Sequence, residues 1–127
     1  MKAPDIFEDE DVQRLTAMTD REFDGLPFGV IKLDAVGKIL AYNVAESELS
    51  GFRPADVLGR NFFHDVAPCT RTKRFFGRFQ EGVAAGRLNA SFEYRFDLQS
   101  RPSVWIHMVN GASGEFVVIV KRMGYGA

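Results

Sequence analysis

The chain has 127 residues, a mass of 14.2 kDa and a formal net charge of −1. That length allows one domain with one sizeable core, and a hydrophobic content of 46% excludes a disordered chain. The near-neutral balance gives no global signal for nucleic acid or an anionic membrane, no apolar run is long enough to cross a bilayer, and the single cysteine, Cys69, excludes an intramolecular disulfide and fits a reducing cytoplasm.

Residues 1–24 stand apart, with eight acidic residues against Lys2, Arg14 and Arg21. Met1 to Glu10 is acidic rather than basic and then apolar, so no secretory leader is expected. Val12, Leu15 and Met18 recur at helical spacing and predict a short amphipathic helix near Asp9 to Met18. From Phe28 the pattern turns to strands: Val30 to Leu33, a turn over Asp34 to Gly37, and a returning strand from Lys38 to Tyr42. Asn43 is placed to cap a helix that Gly51 ends, and Pro54 to Leu58 makes a further helical turn. Phe75, Phe76, Phe79 and Val83 follow a helical period that should end near Gly86. Leu88, Ala90, Phe92, Tyr94 and Phe96 then alternate with polar residues, which predicts a strand with one buried face. Val104, Ile106 and Met108 alternate in the next strand, Gly111 to Gly114 turns the chain, and Phe116 to Val120 is apolar enough to be a central strand. Two strands, several short helices and three hairpin-linked strands predict an α+β fold: a mostly antiparallel sheet with helices over one face. Residues 1–24 read as a cap, 25–123 as the domain, and 124–127 as a tail or the start of a linker.

The stretch Asn61 to Phe79, NFFHDVAPCTRTKRFFGRF, carries Cys69 at its middle. Pro68 fixes the backbone before it, and Arg71, Lys73, Arg74 and Arg78 follow. A thiol beside cations has its thiolate favoured, the form that attacks an activated acyl group. On local chemistry alone, a lone cysteine is more often a small buried hydrophobe. Upstream, Tyr42, Glu46 and Ser50 stand four residues apart, so their side chains can point the same way. A phenol, a carboxyl and a hydroxyl converging on one place can bind a phenolate; an exposed helix face is the alternative. His64 and His107 lack metal-ligand spacing, and no third residue orients a Cys69–His64 pair for hydrolysis. The cations from Arg71 to Arg78 read as a wet helix face, with a protein-binding patch as the second reading. Twelve phenylalanines either line an apolar pocket or simply pack.

Asn61-Phe62-Phe63 with Asp65-Val66-Ala67-Pro68-Cys69-Thr70 resembles the chromophore-attachment segment of the photoactive yellow proteins, small bacterial blue-light receptors with a PAS fold. Leu26-Pro27-Phe28-Gly29, Tyr42-Asn43 with Glu46, Glu81-Gly82-Val83, Phe92-Glu93-Tyr94 and Val120-Lys121-Arg122 resemble the family in the same order, so the similarity runs from about Gly25 to Arg122. The resemblance implies a five-stranded PAS sheet and 4-hydroxycinnamic (p-coumaric) acid held by Cys69 as a thioester. Tyr42 and Glu46 would hydrogen-bond its phenolate oxygen, supported by Ser50 where the family has a threonine. Phe62, Val66, Ala67, Thr70 and Phe96 would line the group. The family has a pocket-shielding arginine one residue after the glycine that matches Gly51; this chain has Phe52 there and Arg53 next, so either is a candidate gate. In the loop with Leu98, Ser100 replaces a methionine that assists dark recovery in many members, which implies slow recovery for this chain. Residues 1–24 would cap the outer face of the sheet and detach on illumination. The implied function is blue-light sensing by trans–cis isomerisation and proton transfer from Glu46, without enzymatic activity, signalling to a separate protein or a fused output domain such as a kinase. The partner class contains no nucleic acid and no membrane insertion. A chromophore-free PAS ligand-binding or interaction module is the alternative.

Overall fold

The structure is a computed structural model and describes residues 14–15, 17–95, 103–111 and 113–122. Five strands form one sheet: β1 (Gly29–Leu33), β2 (Ile39–Tyr42), β3 (Asn89–Arg95), β4 (Ser103–Asn110) and β5 (Phe116–Arg122). Their order is β2-β1-β5-β4-β3, and every neighbouring pair is antiparallel. β5 is central, as its apolar run predicts, and Phe116 to Val120 are all buried. Short α-helices accompany the sheet: α1 (Asp20–Asp24), α2 (Val44–Ser50), α3 (Pro54–Val57) and α4 (Arg78–Ala85).

The period of two in the strands sorts side chains onto two faces. Ile31, Leu33, Val104, Ile106, Met108, Phe116, Val118 and Val120 enter the main core, under the helical connection from β2 to β3. Val30, Val109, Val117 and Ile119 point the other way and pack with Leu15 and Phe23, so chain preceding β1 covers the outer face. Lys32 lies over the Phe23 ring at 5.2 Å and Lys121 over Phe28 at 5.1 Å, each a cation held on an aromatic face. Leu15 is 3% exposed; most of the helix expected over Asp9 to Met18, the tail 124–127, and Phe96, Leu98 and Ser100 lie outside the described residues.

The segment after α3 departs from the regular helix its phenylalanine spacing suggests. Phe62–Val66 and Lys73–Gly77 are π-helical turns, with a three-residue 3-10 turn, Pro68–Thr70, between them. In the first turn the Ala67 N–H reaches the Phe62 carbonyl at 2.8 Å, and in the second the Gly77 N–H reaches the Thr72 carbonyl at 2.9 Å. The wider turns seat Phe62, Phe63, Phe75 and Phe79 in the same core. Phe63 is the hub, with ring centroids of Phe62, Phe75, Phe76 and Phe79 4.6–5.7 Å away. These phenylalanines therefore pack against each other. Arg71, Lys73, Arg74 and Arg78 are exposed, and Arg74 and Arg78 lie over the Phe92 ring at 5.6 and 5.2 Å.

Asn43 caps α2 and does more. It is fully buried; its Oδ1 accepts from the N–H of Glu46 (3.1 Å) and of Val30 (2.9 Å), while Nδ2 donates to the carbonyls of Phe23 (3.1 Å) and Phe28 (3.0 Å). One amide thus joins α1, β1 and α2. Asn43→Ala would leave buried donors and acceptors unmatched, and about 3 kcal/mol of stability should be lost, read as a lowered urea midpoint. A loss under about 1 kcal/mol would mean that the four bonds are replaced by solvent.

Candidate functional site

Tyr42 ends β2, and Glu46 and Ser50 follow on α2, whose first turn Asn43 caps and whose end Gly51 closes. Tyr42 and Glu46 are 4% and 3% exposed. That burial decides between the two readings of the spacing: this is an inward helix face. The Tyr42 hydroxyl donates to Ser50 Oγ at 2.7 Å. Ser50 Oγ also accepts from the Phe52 N–H at 3.1 Å, and Ser47 Oγ donates to the Phe52 carbonyl at 2.6 Å. Two serines therefore clamp the backbone of Phe52, whose side chain is 40% exposed.

Arg53 is turned outward at the start of α3. Its guanidinium donates to both Asp56 oxygens, Nε at 3.0 Å and Nη2 at 3.3 Å. That hydrogen bonding, and then the Asp56 charge, raise the Arg53 pKa further above its ordinary value. Of the two candidate gates, only Phe52 is tied to the Tyr42–Ser50 pair.

Glu46 lies against the backbone of β1 at Gly29. A Cβ at Gly29 would overlap Glu46 Oε1 and stand 3.1 Å from its Cβ. A glycine inside a strand signals such close approach, and that signal was present in the sequence. The same glycine lines a surface groove of about 260 Å³ with Pro27, Phe28, Ala45, Leu49 and Val120.

Cys69 is partly buried, in the 3-10 turn rather than at a helix start. Its segment is pinned upstream by Asn61. Asn61 Oδ1 accepts from the Phe63 and His64 N–H groups (2.9 and 3.0 Å), and Nδ2 donates to the Val36 carbonyl (2.8 Å). The Phe62 N–H donates to the Gly37 carbonyl at 2.8 Å. Gly37 has φ of 96°, and a Cβ there would come within 2.9 Å of the Phe63 ring, so both conformation and space call for glycine. Phe62 and Val66 share the main core with Tyr42, and Ala67 packs against it. Thr70 is fully buried, its hydroxyl donating to the Ala67 carbonyl at 2.6 Å. Downstream the Tyr94 hydroxyl donates to the Cys69 carbonyl at 2.6 Å, a contact the sequence did not suggest. His64 is exposed, edge-on to Phe76, and His107 is 2% exposed in β4. Among the described residues no group of His, Cys, Asp and Glu could hold a metal ion, and no helix is long and apolar enough to cross a membrane.

The PAS fold pattern matches residues 17–120. Photoactive yellow protein of Rhodothalassium salexigens is 52% identical over 120 residues, covering 92% of this chain and 96% of that protein. This chain belongs to the photoactive yellow protein family. The photoactive yellow protein of Halochromatium salexigens is 46% identical over 120 residues, again 92% of this chain and 96% of the relative. Among solved structures, the photoactive yellow protein domain of the sensor histidine kinase Ppr from Rhodospirillum centenum superimposes with a TM-score of 0.80 at 45% identity, over 83% of this chain and 94% of that domain. The chain is a PAS-fold photoreceptor.

Gly29→Ala tests how the Glu46 carboxyl is seated. The added methyl must displace Glu46, so the chain should lose about 1–3 kcal/mol. Adding Glu46→Ala removes the overlapping oxygen and should recover about 1 kcal/mol or more in a double-mutant cycle measured by urea unfolding. Strict additivity would show that the two positions do not meet.

Proposed function

We propose that this chain senses blue light through p-coumaric acid held as a thioester on Cys69. The observation that carries the reading is the buried Glu46, four residues after the buried Tyr42, in a chain whose sole thiol, Cys69, closely follows Val66 and Ala67 of the core that holds Tyr42. A buried carboxyl and a buried phenol are donors suited to a phenolate, and the partly buried thiol is the nucleophile that attachment requires. The bound group supplies absorption of blue light and isomerisation about its double bond.

The residues of the chain do the rest. Tyr42 has one hydroxyl proton, and Ser50 accepts it. To donate to a phenolate instead, Tyr42 must release that bond, and Ser50, which can also donate, turns its own proton toward the Tyr42 oxygen. Glu46 holds its proton on the buried carboxyl in the dark, because burial disfavours the charged form. On illumination Glu46 would pass that proton to the phenolate oxygen of the bound group. An ionised carboxylate in the core is costly, and loosening around α2 relieves it. Asn43 bonds both the Glu46 N–H and the Phe23 carbonyl, so a shift of the first turn of α2 reaches the chain that covers the outer face. Release of residues 1–24 is the outward signal, received by a separate signalling protein or a fused output domain in the cytoplasm.

Reconstitution with activated p-coumarate should give a visible band and the mass of one p-coumaroyl group; Cys69→Ala should stay folded, unlabelled and colourless. A yellow, covalently labelled Cys69→Ala would falsify the attachment, and an unlabelled wild-type chain would favour a chromophore-free PAS module. Glu46→Gln should remain coloured with a shifted band. Its infrared difference spectrum should lack the protonated-carboxyl loss seen in the wild type; a retained signal assigns the proton to another group.

Serine is a shorter side chain than the methionine that the family resemblance gives for position 100. Ser100→Met should speed the return of the band after bleaching about tenfold if it restores about 1.4 kcal/mol of barrier lowering. An unchanged or slower return removes Ser100 from the recovery step.

A further inference from the structure

The Cys69 turn is held at three levels. Pro68 fixes φ just before the cysteine. Within the segment, the carbonyl of Ala67 accepts from the Thr70 N–H (2.9 Å), that of Pro68 from Arg71 (3.1 Å) and that of Thr70 from Thr72 (2.8 Å). Those bonds, with the Thr70 hydroxyl on the Ala67 carbonyl, shape the turn but run within one short segment. They do not fix the turn relative to the sheet. The Cys69 carbonyl is taken from outside, by the Tyr94 hydroxyl on β3, at 2.6 Å.

The ring that carries this hydroxyl is itself seated. Tyr94 meets Phe75 edge-on, centroids 5.1 Å apart at 87°, and Phe92 at 6.3 Å and 82°. Phe75 is fully buried in the π-helical turn that follows the cysteine. Strand pairing of Tyr94 with Val104 fixes its backbone. The hydroxyl is thus aimed by the sheet and the phenylalanine core together. With the chain before Cys69 held by Pro68 and the turn, a carbonyl held in direction by Tyr94 restrains ψ of Cys69 and so the direction of its Cα–Cβ bond.

We propose that Tyr94 is the positioning residue for the Cys69 sulfur: its hydroxyl, braced by Phe75 and Phe92, locks the Cys69 carbonyl and thereby aims the thiol and whatever it carries. This deepens the reading of Cys69 as the attachment point and rests on it, but the positioning is testable without any attached group. The role is geometric: Tyr94 donates to a backbone oxygen and takes no part in proton transfer.

The test is Tyr94→Phe in the full chain. The substitution keeps the ring and its seat and removes only the hydroxyl. In the chromophore-free protein, alkylation of Cys69 by iodoacetamide should speed up by about threefold to tenfold, the range expected when one net hydrogen bond no longer restrains the turn. The Cys69 carbonyl carbon resonance should move upfield, as a carbonyl does on losing a donor, while far-ultraviolet circular dichroism stays native. After reconstitution the variant should still gain one p-coumaroyl mass, with its visible band shifted or broadened. If Tyr94→Phe lowers only the urea midpoint and leaves both the alkylation rate and the carbonyl resonance as in wild type, Tyr94 is a packing residue and the proposal is overturned. If the alkylation rate and resonance change as expected but wild type takes up no p-coumaroyl group, the positioning holds and the attachment reading is what fails.

Discussion

The fold depends on the side chain of Asn43. It is the buried amide through which the chain before β1, the first strand and the α2 helix are joined, and all four of its hydrogen bonds are to backbone groups. Backbone partners make the arrangement indifferent to neighbouring side chains and sensitive to position. An N-cap aspartate would satisfy the two N–H groups but could not donate to the two carbonyls, so the amide is needed for its two sets of atoms. Glu46 is held at the inner face because the helix that carries it starts at this point and nowhere else.

The second constraint is on the Cys69 segment. Residues 61–77 contain no full α-helix; they pass through π, 3-10 and π turns, shapes with weak intrinsic preference. Their stability comes from outside: Asn61 ties the segment to the β1–β2 turn, Tyr94 ties it to β3, and the phenylalanine cluster fills the space beneath. This irregular backbone carries Cys69, the chain's only thiol, in its 3-10 turn. The cost of the irregular turns is offset by the burial of four aromatic rings around Phe63.

Around Tyr42 two serines organise the end of α2. An apolar side chain, Phe52, follows the end of α2, and its backbone is clamped by Ser47 and Ser50. Arg53 is committed to Asp56 on the surface. Phe52 thus sits on a fastened loop, with the Arg53 guanidinium held at the surface. Ser50 serves both the loop and the phenol, so the loop and the Tyr42 hydroxyl are coupled through one oxygen.

Much of this was legible in the sequence, for physical reasons. Alternation of apolar residues marked which side of β3 and β4 faces the core, because side chains alternate across a sheet. The apolar run from Phe116 to Val120 marked a central strand, because both of its faces must be covered. The four-residue spacing put Glu46 and Ser50 on one face of a helix with Tyr42 at its entrance, and Asn43 and Gly51 marked where that helix begins and ends. What spacing could not decide was whether that face looks inward. Only the close approach of α2 to β1 at Gly29, and the hub at Asn43, bury Glu46. Likewise the phenylalanine period over Phe75 to Val83 carried no sign that a π turn precedes α4, since the extra residue per turn is selected by packing around Phe63. The bond from Tyr94 to Cys69 joins residues 25 positions apart, and no local pattern encodes a contact of that separation. Local chemistry determined the elements; the tertiary structure decided where their side chains point, because direction is set by long-range contacts that no sequence window contains.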